Sequence, residues 1–250
     1  MKSADRPVRQ HPAPRDTSRQ GDDEAATFSA AVAEFETGRD SQGQLRAEFT
    51  FEDVPAPKRL APFAAATSAT VRRDNAEIAW GRLVLLYDPE GQEGWPGLYR
   101  LISYLRAEVD PEIAADPMLC QVGWSWLIEA LDAWTPGYGA PSGTVTRVTT
   151  EGFGGKEGDP PVHEFELRAS WSPGGPADMP GRPPGMTGAA GAVPADAAGS
   201  ADPAVPDIAA HVTAWCDCLA AAAGLPPLAL GAHALPAAAA AADQRSRRRR

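Results

Sequence analysis

Residues 116–134 read DPMLCQVGWSWLIEALDAW, and we expect the rest of the fold to be arranged around this stretch. Asp116 suits the N-cap of a helix, and Pro117 falls at the first helical position, where its missing N–H costs nothing. The apolar residues that follow recur at helical spacing on one face, and they are Leu119, Val122, Trp126, Leu127, Ala130, Leu131 and Trp134. Burying the large ones would stabilise the fold by on the order of 10 kcal/mol before entropy is subtracted. Such a helix needs a sheet or another helix to cover it.

Six further segments carry patterns that predict β-strands, and they are residues 46–54, 68–73, 77–87, 98–109, 144–152 and 162–171. In the last segment, apolar and polar residues alternate, which is typical of an antiparallel strand with one buried face. Leu83–Leu86 is an unbroken apolar run, so we expect a central strand that is covered on both faces. Asp74 and Asn75 have the chemistry of a tight turn between two strands, and residues 137–143 are predicted as a loop.

Two more helices are predicted, at residues 24–37 and 207–223. Gly38 and Gly224 follow them, and glycine is common just after the last helical residue. The element order is one helix, a run of strands, the helix described first, two strands and a last helix. Strands that occur in runs with few interleaved helices favour the α+β class, with a mainly antiparallel sheet packed by about three helices in a single domain.

Composition sets the expected limits of this domain. Residues 1–23 are polar and proline-containing, so we predict disorder there. The α+β domain is expected at 24–171 plus 205–227, with a Pro/Gly/Ala-rich disordered insertion at 172–204 and a low-complexity basic tail at 228–250.

Charge and cysteine usage narrow the function classes. The formal net charge is −10, although five arginines lie among the last six residues, so the rest of the chain carries −15. An acidic body argues against a nucleic-acid-binding face, which leaves only the tail Arg245–Arg250 to contact RNA. Three cysteines are too few for a disulfide framework. We expect neither a signal peptide nor a membrane span, because the first twenty residues are polar and no apolar run is long enough to cross a bilayer. We therefore expect a soluble cytoplasmic protein with reduced thiols.

The loop at residues 88–97 concentrates acidic side chains between two strands. Asp88, Glu90 and Glu93 lie there among three glycines, together with Trp95. Carboxylate oxygens on a flexible backbone suit Ca²⁺ or Mg²⁺. The ligand spacing of a calcium-binding loop is missing, however, and acidic glycine-rich hairpin tips are commonly plain solvated turns. The solvated turn is therefore the favoured interpretation, and the cation loop is the alternative.

Two tryptophans have no obvious place in the core. Trp124 points away from the apolar face that contains Trp126, because residues two apart on a helix differ by about 200°. Trp95 lies at a loop tip. Since interfaces are enriched in tryptophan, both rings are candidates for a protein-binding surface, and packing against a terminal helix is the other interpretation.

His211, Cys216 and Cys218 lie together on the last predicted helix. Zinc takes these residue types, but a structural site wants four ligands with a usual loop spacing. Buried structural thiols are therefore the favoured interpretation. No motif for a catalytic nucleophile, a phosphate loop or a cofactor is present, so no cofactor is expected.

Seven strings are distinctive as a set, and they are VPAPKRLAP (54–62), GRLVLLYDPEGQEGW (81–95), RAEVDPEIAADP (106–117), VGWSWL (122–127), GTVTRV (143–148), RASW (168–171) and AWCDCL (214–219). Taken together they resemble an uncharacterised family of actinobacterial proteins, the domain-of-unknown-function family numbered three thousand. The resemblance covers about residues 28–227. It implies a bacterial cytosolic protein and carries no catalytic residue over. Genes of similar proteins lie beside a ribonuclease-D-like exonuclease, and the element order is similar to that of type III secretion chaperones, which bind other proteins.

The sequence thus favours a non-catalytic cytosolic protein-binding or adaptor module, which binds a protein partner or forms a homodimer through Trp95 and Trp124. The alternative is a metal-dependent enzyme or an RNA-metabolism accessory factor that uses Asp88, Glu90 and Glu93. No membrane contact is expected in either case.

Overall fold

The computed structural model describes residues 17–174 and 205–228 of the 250-residue chain. The described residues leave out most of the N-terminal stretch, of the predicted insertion and of the basic tail. The disorder predictions therefore concern residues that are mostly outside the described ones. The first helix begins at Thr17 instead of Glu24, and the strand before the insertion continues to Pro173.

Six strands and four helices make up the described chain. The strands are β1 (Phe49–Asp53), β2 (Phe63–Arg73), β3 (Ala76–Tyr87), β4 (Tyr99–Glu108), β5 (Tyr138–Thr150) and β6 (Val162–Pro173). The helices are α1 (Thr17–Leu45), the short α2 (Pro111–Ala115), α3 (Leu119–Trp134) and α4 (Ile208–Ala222), and a single 3₁₀ turn lies at Gly154–Lys156.

All six strands form one antiparallel sheet in the order β1-β2-β3-β4-β6-β5. The predicted α+β class and the antiparallel sheet are therefore confirmed. Asp74 and Asn75 join β2 to β3 with positive φ angles of 50° and 67°. This backbone suits the twist of a two-residue hairpin, and it confirms the predicted turn.

Two strands begin five or more residues before their predicted segments. β2 begins at Phe63 instead of Ser68, because its alanine-rich first half pairs with β3 in the register Phe63↔Tyr87. Pairing with an established neighbour overrides the low strand propensity of alanine. β5 begins at Tyr138, so the loop prediction for residues 137–143 is wrong. The strand accommodates that segment with an irregularity between Gly139 and Ser142.

A layer of helices covers one face of the sheet, and its central member is α4. α1 and α3 both pack against α4, while α4 itself contacts β3, β4 and β6. On α3, Leu127 and Leu131 are buried as predicted. The expectation that α3 organises the fold is nevertheless wrong, because α4 holds the middle position and is buried around most of its circumference.

The start of α3 also differs from the prediction. α3 begins at Leu119, and Met118 is its N-cap residue. Asp116 ends the short helix α2, where its carboxylate Oδ1 accepts a hydrogen bond from the backbone N–H of Met118 at 2.8 Å. Asp116 therefore ends α2 and is not the N-cap of α3, and Pro117 lies in the turn between the two helices.

Helix α1 continues through Gly38 instead of ending there. A Cβ atom at Gly38 would lie 2.8 Å from Cβ of Val212 and 2.9 Å from the backbone oxygen of Ala209. The predicted role of Gly38 as the residue that ends the helix is therefore wrong. It lets α1 approach α4 closely.

A polar contact joins all three large helices. Arg46, which falls in the predicted strand 46–54, is buried just after α1, and its Nη2 lies 3.3 Å from Oδ1 of Asp217 on α4. The indole Nε1 of Trp134 at the end of α3 donates to Oδ2 of the same carboxylate at 3.2 Å. Asp217 thus holds α1 and α3 on either side of α4.

The opposite face of the sheet has a smaller apolar cluster. Val84 and Leu86 of β3 lie on it, whereas Leu83 and Leu85 face the helices. The predicted burial of Leu83–Leu86 on both faces is therefore confirmed. The connector after β1 and the loop before β4 cover this cluster.

Candidate functional site

The acidic loop at residues 88–97 uses its first carboxylate to stabilise its own backbone. Oδ1 of Asp88 accepts from the backbone N–H of Glu90 at 3.1 Å, and Oδ2 accepts from Nε2 of Gln92 at 2.9 Å. Glu90 and Glu93 are exposed. Within residues 17–174 and 205–228, no group of three or more His, Cys, Asp and Glu residues is placed to hold a metal ion. These contacts are typical of a solvated turn, and the cation loop stays a prediction.

Both tryptophans proposed for an interface make contacts within the protein. Trp95 is partly buried and packs against the cluster of Val84 and Leu86. Trp124 is partly buried against the main core, and a Cβ atom at Gly143 of β5 would lie 2.8 Å from its ring. These contacts are with the sheet and not with a terminal helix, and the interface role of the two rings stays a prediction.

The three metal-ligand types on α4 are deeply buried. Nδ1 of His211 accepts a hydrogen bond from the indole Nε1 of Trp171 at 3.2 Å. Burial lowers the pKa of His211 to about 4, so its imidazole is neutral at physiological pH. Cys216 and Cys218 are fully buried, and burial raises the pKa of both thiols. The prediction of buried structural thiols is confirmed, since a protonated thiol without solvent access is a poor nucleophile.

A groove of about 710 Å³ lies where α2, the first half of α3 and the end of α4 meet the ends of strands β3 and β4. Its apolar lining includes Ile113, Leu119, Val122 and Trp126. A second cavity of about 350 Å³ shares Trp126 and Ala221 with it, so the two adjoin along the contact between α3 and α4. We call the first of them the α2–α3 groove.

Two large apolar side chains of the α2–α3 groove are open to solvent. Ile113 is 46% exposed and Val122 is 40% exposed, and the nearby Met118 is exposed as well. Val122 belongs to the apolar face predicted for α3, but the described chain does not cover it. An exposed patch of this kind, next to a cavity, is typical of an interaction surface.

The rim of the α2–α3 groove carries a negative charge. Glu108, Asp110 and Asp116 line it, and none of these carboxylates forms an ion pair with another described residue. The guanidinium of Arg73 also lines the groove, but its Nη2 donates to the backbone oxygens of Ala223 and Gly224 at 3.4 and 3.2 Å. Oδ1 of Asp116 accepts from the backbone N–H of Met118, so Glu108 and Asp110 are the carboxylates most available to a partner that brings positive charge.

Sequence reasoning missed this groove. Its walls come from segments that are far apart in the chain, and the isolated apolar residue Ile113 in a polar turn was a weak signal. A stronger signal was the width of the apolar pattern on α3, which contained more large residues than one contact face can cover. Val122 is the residue in excess.

The comparisons with known proteins give one match. No curated protein and no solved structure matches the chain. Among the helices of the described residues, none combines the length and the apolar character that crossing a bilayer requires. Residues 24–232 match the family described as "protein of unknown function (DUF3000)", which is well over half of the chain. The chain therefore belongs to the DUF3000 family of proteins of unknown function.

Proposed function

We propose that this protein is a non-catalytic cytoplasmic binding module that takes a segment of another protein into the α2–α3 groove. The observation that carries the proposal is the exposure of Ile113 and Val122 beside a cavity of about 710 Å³ with unpaired carboxylates on its rim. Large apolar side chains at the surface of a folded domain cost solvation free energy, and a partner that covers them recovers it.

The charge of the rim selects the partner. Glu108, Asp110 and Asp116 favour a segment with Lys or Arg next to its apolar side chains, because complementary charge directs both encounter and orientation. An amphipathic helix with apolar residues at positions i, i+3 and i+4 presents such a surface in one segment. We therefore expect a basic amphipathic partner.

The described lining of the groove contains no serine, threonine, cysteine or lysine, so its only candidates for chemistry are the rim carboxylates and one histidine. Its histidine, His163, shares a hydrogen bond of 3.0 Å between Nδ1 and the hydroxyl of Thr149. Binding needs only the apolar walls and the acidic rim.

Two labelled synthetic peptides test the proposal by fluorescence anisotropy. One is an amphipathic Leu/Lys helix, and the other is the matched Leu/Glu helix. We expect the full-length protein to bind the Leu/Lys peptide at least about tenfold more tightly, which is about 1.4 kcal/mol. The double variant Ile113→Ser/Val122→Ser should weaken that binding about tenfold or more. The matched control is Leu60→Ser, because Leu60 is also 46% exposed but lies outside the groove.

A charge variant separates the rim from the apolar walls. Glu108→Gln/Asp110→Asn should weaken Leu/Lys binding at low salt and reduce its salt dependence, whereas Glu90→Gln in the acidic loop should change neither.

Equal affinity for the two peptides, or an equal loss in Leu60→Ser, would contradict the proposal. Loss of a homodimer in the double variant, measured by light scattering, would show that a second copy is the occupant. Tight peptide binding only after truncation at Leu228 would assign the groove to the tail of the chain.

A further inference from the structure

Arg100 is a buried cation with only neutral hydrogen-bond partners among the described residues. It is the second residue of β4, faces away from the helices and is 7% exposed. Its Nη2 donates to the hydroxyl of Ser170 at 2.7 Å and to that of Ser142 at 3.5 Å. Its Nη1 donates to the hydroxyl of Ser172 at 3.5 Å. No described carboxylate lies within ion-pair distance of this guanidinium.

Two other basic side chains on this face have acidic partners, and a third, Arg82, donates to the backbone oxygen of Pro55. Arg106 pairs with Glu77 and Glu164, and Arg168 pairs with Glu166, although both arginines are well exposed to water. Arg100 is the more buried cation, and burial lowers its pKa. Burying a charge without a counter-charge is unfavourable, whereas a hydrogen-bonded anion would compensate it.

An irregularity in the backbone of β5 places Ser142 beside Arg100. The strand irregularity between Gly139 and Ser142 contains Ala140 at a φ of 44°, which is rare for a residue other than glycine. The hydroxyl of Ser142 thereby lies 3.4 Å from that of Ser170, and Ser142 is exposed. Irregularities of this kind re-aim side chains at functional sites. Ser142 therefore connects the buried guanidinium with solvent.

We propose that Arg100, Ser142, Ser170 and Ser172 form a binding site for a small oxyanion, such as a phosphate or carboxylate group. A hydroxyl that accepts from the guanidinium keeps its own hydrogen for donation. Because the hydroxyls of Ser142 and Ser170 share one hydrogen bond, the three serines add up to two donors to the positive charge. A guanidinium presents paired N–H donors that match the oxygens of either anion. The site lies on the face of the sheet opposite the helices and at the opposite end of β4 from the α2–α3 groove, so it is independent of the function proposed above.

Thermal unfolding of the full-length protein tests the site with inorganic phosphate and with acetate, each compared with chloride at equal ionic strength. We expect one of the two oxyanions to raise the Tm and the effect to grow with the logarithm of its concentration. The anion with the larger effect identifies the ligand chemistry. Isothermal titration should show a Kd at least about tenfold higher for Arg100→Met, since the positive charge is removed.

Two variants control this experiment. Ser142→Ala removes an exposed hydroxyl and keeps the guanidinium, so it should fold normally and weaken anion binding by a smaller factor than Arg100→Met. Arg168→Gln removes an exposed, paired cation from the same face and should bind the anion as the original protein does. The proposal is overturned if neither anion raises the Tm beyond chloride, or if Arg168→Gln loses the effect as fully as Arg100→Met. An unchanged affinity in Ser142→Ala would exclude the serine from the site.

Discussion

Helices α3 and α4 lie side by side on the same sheet, but they differ in side-chain size and in burial. α3 carries large apolar residues on one face and exposes most of the opposite face. α4 consists mainly of alanine, cysteine and a few large residues, and ten of its fifteen residues are buried. The helix with the more obvious amphipathic pattern is therefore the peripheral one.

The difference shows that small residues decide the central position. A helix in the middle of a layer must accept neighbours on two flanks, and short side chains let their backbones approach. Gly38 of α1 leaves room for Val212 of α4. Gly81 of β3 likewise leaves room for the ring of Trp215, because a Cβ atom at Gly81 would lie 2.8 Å from that ring. α4 thus directs large side chains such as Trp215 and Leu219 toward the sheet, while Gly38 of α1 lets the backbones of α1 and α4 approach each other.

The largest loss of stability is expected when a tryptophan of α4 is replaced, and the matching tryptophan of α3 is the comparison. Trp215 of α4 is fully buried, whereas Trp126 of α3 is half-buried at the α2–α3 groove. We expect Trp215→Ala to lower the free energy of unfolding by about 4 kcal/mol and Trp126→Ala by about half as much. Urea unfolding of both variants measures the difference. Equal losses would mean that the two helices contribute alike to the core.

The pH dependence of stability tests the burial of His211 on α4. Its pKa is about 4 in the folded protein and about 6.5 when unfolded. Between these values only the unfolded chain binds the proton, so stability falls as pH falls through this window. The loss attributable to His211 is about 3 kcal/mol.

The variant His211→Gln isolates this contribution, because glutamine can still accept from Trp171 but does not titrate. Urea midpoints measured from pH 7 to pH 4 should fall less steeply for the variant than for the original protein. Parallel curves would show that His211 is protonated in the folded state at the same pH as in the unfolded chain.

The contact between α3 and the sheet is tested at Gly123. A Cβ atom there would lie 2.1 Å from Cε2 of Phe165, so the side chain of Phe165 or the helix must move. Gly123→Ala should cost about 2 kcal/mol despite the higher helix propensity of alanine. Gly21→Ala is the matched control, since Gly21 in α1 has no atom within 4 Å of the added Cβ, and it should stabilise slightly. A neutral Gly123→Ala would place α3 farther from Phe165.

The smallest effect is expected at the carboxylate that joins the helices. Asp217→Asn keeps the shape of the side chain but removes the charge opposite Arg46. Because Asp217 is partly exposed, the loss should be about 1 kcal/mol. Arg46→Met should show a similar loss, and the double variant should lose less than the sum, measured as a double-mutant cycle. Additive losses would show that the two charges do not interact.

Much of the local structure was predictable from residues close together in the chain. The alternation in β6, the turn at Asp74 and Asn75, and the limits of α4 follow local rules, and the structure agrees with them. Asp207 caps α4 by accepting from the backbone N–H of Ala210 at 2.9 Å, and Gly224 follows at a φ of 64°. The candidate site was less predictable, because Ile113 and Val122 line a groove with residues that lie about a hundred positions later in the chain.

The sequence by itself determined the fold class, the antiparallel character of the sheet and the segments that form its elements, because periodicity and turn chemistry act over a few residues. Only the tertiary structure decided that α4 is central, that Arg46 is buried beside Asp217 and that Arg100 lies among three serines. These arrangements depend on which small residues let distant segments approach, and that is a property of packing in three dimensions.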